Sequence, residues 1–130
     1  MLKHKDLTEK ILNTFYDVYN ELGYGFLEKV YQNAMYFALQ DIGLEVHAQQ
    51  RIKVYFRGRE VGDYIADLIV NDLVILELKA TSSLIEKHEV QLVNYLKATP
   101  IEVGLLLNFG NEPSFKRKIW FNAGKKLSKS

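Results

Sequence analysis

The sequence predicts a mixed α/β fold, a central sheet of parallel and antiparallel strands flanked by helices. Three observations predict it. Apolar residues repeat at helical spacing through Leu7–Ile42, the period drops to 2 through Arg51–Ala80, and helical spacing returns at Leu84–Ala98. Short turn signals inside Arg51–Ala80 suit antiparallel hairpins. A helix between the third strand and Val103–Leu107 is a crossover, which sets that last apolar run parallel to a neighbour.

Taken in order, the first helix runs from Leu7 to Leu22. Asp6 and Glu9 have capping-box spacing, Gly23 supplies a stop, and Ile11, Phe15, Val18, Tyr19 and Leu22 share one stripe. After Gly23-Tyr24-Gly25 a second helix runs from about Phe26 to Ile42. Leu27, Val30, Tyr31, Ala34, Ala38 and Ile42 form its expected buried face, and Gly43 ends it. In Arg51–Arg59 the even residues Ile52, Val54 and Phe56 are apolar, whereas Arg51, Lys53, Arg57 and Arg59 are basic. That alternation is a half-buried strand leading into a turn at Arg57-Gly58. A second strand follows at Glu60–Val70 and a third at Leu73–Ala80, with Asn71-Asp72 marking the turn between them. Leu84–Ala98 is the third helix, with Ile85, Val90, Leu92, Val93 and Leu96 as its apolar content and Pro100 just past its end. Val103–Leu107, nearly all apolar, reads as a strand covered on both faces, and Lys116–Phe121 as a last edge strand.

A length of 130 residues accommodates one hydrophobic core and not two, so a single domain over residues 1–130 is expected. The absence of Cys excludes disulfides, thiolate zinc sites, iron–sulfur clusters and Cys nucleophiles together. No apolar run approaches the ~20 residues of a membrane span, and Met1–Lys10 is too polar for a signal peptide. A cytoplasmic location without membrane contact is therefore expected. The net charge of +1 conceals an asymmetry. Lys116, Arg117, Lys118, Lys125, Lys126 and Lys129 have no acid among them, which leaves a net negative body and a basic tail at about 122–130. A uniformly basic nucleic-acid coat is excluded, but a local basic patch is not.

Two acids stand where acids are costly. Asp67 interrupts Ile65–Val70 and Glu77 interrupts Leu73–Leu78. A buried carboxylate is normally paired, protonated or metal-bound. Lys79 follows Glu77 by two residues and so shares its strand face. Register decides whether Asp67 joins them. A two-residue loop at Asn71-Asp72 puts Ala66 opposite Glu77, whereas a three-residue loop over Asn71–Leu73 pairs Asp67 with Glu77. We expect the second, because it lets both acids and Lys79 converge. Acids on opposite faces would end the idea of a site here. The competing reading is a buried ion pair with no chemistry.

Asp67…Glu77-Leu78-Lys79 resembles the core motif of the PD-(D/E)XK nuclease superfamily, with Ala66 in the place of its Pro. Gly25-Phe26-Leu27-Glu28-Lys29-Val30-Tyr31 resembles the GxxExxY signature of a small-protein branch. Gln91-Leu92-Val93-Asn94-Tyr95 resembles the QxxxY motif of RecB-like exonucleases. The closing Gly104–Gly110 stretch is similar to the same branch. The resemblance covers about residues 8–121. It implies a restriction-endonuclease-like αβββαβ core and a metal-dependent phosphodiesterase acting on nucleic acid, DNA before RNA.

It further implies Mg²⁺ or Mn²⁺ held by Asp67, Glu77 and the Leu78 backbone carbonyl, oxygen donors suited to hard cations. Lys79 then serves as the catalytic cation, Glu28 assists the metal, and Gln91 and Tyr95 support the Lys and approach nucleic acid. Without the motif, Glu28 is a solvated acid at a helix start, Tyr95 a residue packing on the sheet, and His88 a surface histidine. Tyr31 reads as core and Gly25 as backbone geometry. Arg51, Lys53, Arg57 and Arg59 form either a phosphate-contacting strip or a solvated outer face that discourages aggregation. A core this small spans a duplex more easily as a homodimer. The rivals to a nuclease are a binding module on the same fold without turnover and a scaffold whose ion pair is structural.

Overall fold

The computed structural model describes residues 2–127. Two helices, α1 (Lys5–Leu22) and α2 (Glu28–Asp41), precede a five-stranded sheet. Its strands are β1 (Val46–Phe56), β2 (Arg59–Val70), β3 (Val74–Lys79), β4 (Val103–Phe109) and β5 (Pro113–Ile119), and they lie side by side in chain order. A third helix, α3 (Glu86–Lys97), crosses over between β3 and β4, which pair in parallel with Val74 opposite Val103. The other three pairings are antiparallel.

The layers follow from the apolar stripes. Ile11, Phe15 and Val18 of α1 and Tyr31, Met35 and Leu39 of α2 pack on Leu76, Leu78, Leu105 and Leu107. Leu92, Tyr95 and Leu96 of α3 cover the other face through Ile52, Ile75 and Leu106. β3 and β4 are thus buried on both sides, which explains their unbroken apolar runs. Each large aliphatic or aromatic side chain so buried stabilises the fold by roughly 1.5–3 kcal/mol.

Several expectations need correction. The first helix is not capped by Asp6: its N-cap is His4, in a left-handed conformation, and Asp6 lies inside the first turn. The buried face of α2 is Tyr31, Gln32, Met35 and Leu39, while Leu27, Val30 and Ile42 are exposed. The loop before α2 fixes this rotation. Buried Tyr31 donates its hydroxyl to the Gly23 carbonyl at 2.7 Å and accepts the Phe26 N–H at 3.2 Å. Ile85, the N-cap of α3, and Val90 within it are likewise exposed. β1 starts at Val46 rather than Arg51, and β5 at Pro113 rather than Lys116. Pro113 is tolerated because it begins an edge strand.

The basic tail is partly folded back. The Lys125 ammonium donates to the Thr99 and Ile101 carbonyls just past α3, both at 2.7 Å, and ahead of the tail Lys118 of β5 pairs with Glu89 at 2.6 Å. Lys129 lies outside the described residues. No helix among the described residues is long and apolar enough to cross a membrane.

Candidate metal-binding and active site

The β2–β3 hairpin closes in the odd-length register: Val70 faces Val74, Ile69 faces Ile75 and Leu68 faces Leu76. Asn71 and Asp72 both take left-handed φ angles in the turn, and the Leu73 N–H donates back to Val70. One more step of that register sets Asp67 opposite Glu77, and there the backbone ladder stops. The carboxylates take its place. The Asp67 N–H donates to Glu77 Oε1 at 3.1 Å, and the Leu78 N–H donates to Asp67 Oδ2 at 2.8 Å.

β1 is distorted at the same level. Gln49, across from Asp67, has a left-handed φ of 56°. Val46, Leu68 and Val70 pack under α1 and α2, whereas Ile52 and Ala66 pack under α3, so even-numbered residues change sides at this point. The Gln49 amide donates to buried Gln32 of α2 at 3.0 Å and holds the distortion in place.

The electrostatics are those of two crowded acids. Glu77 is 4% exposed, and its carboxyl is pushed up to about 8, first by burial and then by the Asp67 charge. Burial also raises Asp67, opposed by the Leu78 N–H, Lys79 and Lys29. Glu28 opens α2 at the exposed edge of the cluster. Desolvation there and the Asp67 charge raise its carboxyl, while the charge of Lys79 lowers it. Lys79, half-buried at the end of β3, thus acts electrostatically on all three acids.

On α3, the buried Tyr95 hydroxyl is raised to about 12, first by burial and then by the charges of Glu77 and Asp67, while the Gln91 side chain one turn earlier opposes the shift. Glu28, Asp67, Glu77, Lys79, Gln91 and Tyr95 therefore converge. Tyr95 does so as a buried ring rather than as an exposed contact surface. His88 is half-buried and accepts the Ile85 N–H on Nδ1 at 3.3 Å, closing the first turn of α3.

The basic strip is less concentrated than its alternation suggested. Arg51 is paired with Asp63 and Lys53 with Glu60 at 3.2 Å, acids supplied across the hairpin by β2. Arg57 lies 4.9 Å from the Phe56 ring centre, and Arg59 is exposed beyond the turn.

Two contributors are absent from the sequence argument. Asn108, 1% exposed in β4 beside Lys79, brackets Thr81: its Oδ1 accepts the Thr81 N–H at 3.0 Å and its amide donates to the Thr81 carbonyl at 3.1 Å. A polar residue inside an apolar strand was the signal, the same one that exposed Asp67. Tyr64, whose ring centre is 5.8 Å from that of Tyr95, left no such signal.

The donor chemistry suits a hard divalent cation. Each carboxylate spends one oxygen on a backbone N–H and keeps the other, and their mutual repulsion is what a dication relieves. Among the described residues no three His, Asp or Glu side chains group closely enough to hold a metal by themselves. Carboxylate oxygens are the donors that hard divalent cations take.

The sequence matches the model of the PD-(D/E)XK nuclease superfamily over residues 5–119, and the chain belongs to that superfamily. Its five-stranded mixed sheet with flanking helices is a restriction-endonuclease-like fold. The crystal structure of SSO0001 is similar, with a TM-score of 0.58 and 17% identity. The match covers 72% of this chain and 50% of that one, so the chain spans about half the length of that protein, and the likeness is one of fold. No curated protein matches.

Proposed function

We propose that the protein is a nuclease of the GxxExxY branch that hydrolyses phosphodiester bonds in DNA or RNA with Mg²⁺ or Mn²⁺. The observation that carries this reading is the reciprocal Asp67–Glu77 arrangement at the strand split, with Lys79 two residues further along β3 on the same face as Glu77. Asp67, Glu77 and the Leu78 carbonyl would hold the ion, which when bound lowers the pKa of a water and polarises a phosphoryl oxygen. Lys79 orients the attacking water and offsets charge as the water oxygen bonds to phosphorus and gives its proton to solvent, while the bond from phosphorus to the leaving oxygen breaks and that oxygen takes a proton from solvent. Glu28 acts from the start of α2 through ordered water, and Gln91 steadies the Tyr95 side of the site. Arg57 and Arg59 contribute phosphate contacts at the hairpin tip.

The test is cleavage of labelled DNA and RNA with Mg²⁺ or Mn²⁺ by wild type, Asp67→Ala and Lys79→Ala. We expect losses of at least about 100-fold, the scale set by removing one preorganised electrostatic group. Activity that survives both substitutions places the chemistry elsewhere.

A second reading, a binding module without turnover, is favoured by one observation: both carboxylates already satisfy backbone N–H groups without an ion. It requires salt-dependent binding to nucleic acid that a chelator leaves unchanged and that no cleavage accompanies.

A further inference from the structure

Beside the acids, between the β1–β2 hairpin and α3, lies a groove of about 480 Å³. Tyr64, 49% exposed, forms the aromatic wall, backed by the buried Tyr95 ring at a plane angle of 45°. Gln91 and Asn94 add amide groups that both donate and accept, and Lys87 adds a cation. Gly62 lines the same groove without a left-handed backbone to explain it. A Cβ there would stand 3.1 Å from the Tyr64 ring and 3.4 Å from Val54. The missing side chain keeps the space open and leaves the ring where it is. Tyr95 also packs in one cluster with Ala66 and Ile75, whose strands carry Asp67 and Glu77, so the groove adjoins the strand split.

We propose that this groove receives one unpaired nucleobase of the strand whose phosphate lies at Asp67 and Glu77, so that the protein acts on single-stranded or frayed nucleic acid rather than on paired duplex. The proposal deepens the nuclease reading and rests on it for the placement of the phosphate. An aromatic wall recognises the π-face common to all bases, amides meet a base edge that pairing would otherwise occupy, and a Lys answers the phosphate charge. A base still stacked in a duplex cannot enter the groove.

The test is fluorescence anisotropy in EDTA with short labelled single strands, deoxyribo and ribo, and with the matching blunt duplex. Single strands are expected to bind about tenfold or more tightly than the duplex, from the stacking of one base. Tyr64→Ala, and Gly62→Val by filling the space, should each remove most of that preference, and Tyr64→Phe should recover most of what Tyr64→Ala loses. Equal affinity for strand and duplex, or a preference untouched by both Tyr64→Ala and Gly62→Val, overturns the proposal. The latter is the result expected if the chain end beyond Leu127 or a second copy fills the groove. Tyr64-dependent binding with no cleavage in Mn²⁺ would leave the groove standing and remove the nuclease reading. Asp67-dependent cleavage indifferent to Tyr64 would do the reverse.

Discussion

Glu77 shows how a single residue couples site and stability. Its carboxyl is ordinary in the unfolded chain, near 4.5, and reaches about 8 in the folded one. The folded state therefore keeps a proton that the unfolded state releases. The stability this supplies is complete below pH 4.5 and is lost as pH rises through about 8. The effect is on the order of a few kcal/mol. Without divalent ions, wild type should melt lower at pH 8.5 than at pH 6, and Glu77→Gln should show little of that slope. Adding Mn²⁺ at the higher pH should raise the wild-type melting temperature, because it binds the ionised pair only in the folded state. A wild-type melting temperature that does not change with pH would contradict the crowding of the two acids. These acids were legible in the sequence because an apolar run makes a carboxylate conspicuous. Gln49 was not, since nothing in His47–Gln50 announces a left-handed residue facing Asp67.

At the level of elements, the hairpins and the crossover were readable from period and turn residues, and the outer helix faces were not. A stripe of Leu27, Val30 and Ile42 is as apolar as the one that α2 buries. The choice between them is made by Tyr31, whose hydroxyl ties down the Gly23–Phe26 loop while its ring stacks on Phe109 at 4.3 Å. The exit from β3 is held as specifically. Asn108 occupies both backbone groups of Thr81, and a Cβ on Gly110 would come within 2.2 Å of the Thr81 carbonyl oxygen. Asn108→Ala leaves those half-buried groups unpaired and should cost roughly 1 kcal/mol, measurable by denaturant unfolding. Because Thr81 follows Lys79 by two residues, the same variant should lower kcat more than it raises KM. Unchanged unfolding would show that the bracket contributes nothing to holding β3.

Across the whole molecule, the charge pattern can now be read in three dimensions. Alternation placed Arg51 and Lys53 on one strand face, but only the β1–β2 register shows that Asp63 and Glu60 meet them there. Lys118 and Lys125 are likewise engaged within the fold. The cations oriented toward the proposed substrate path are different ones: exposed Lys29, whose charge lowers Asp67, and Lys87 on the groove. If nucleic acid runs over the strand split, these two lysines displace its counterions, whereas Arg51 and Lys53 must first give up a carboxylate partner. The salt dependence of binding separates the two groups. Lys29→Ala and Lys87→Ala should each flatten the slope of log affinity for a single strand against log salt by about 0.7, the value of one phosphate contact. Arg51→Ala combined with Lys53→Ala should flatten it by less than about 0.7 in total. The opposite ranking would move the nucleic-acid path onto the outer face of the hairpin, away from the groove and from Tyr64.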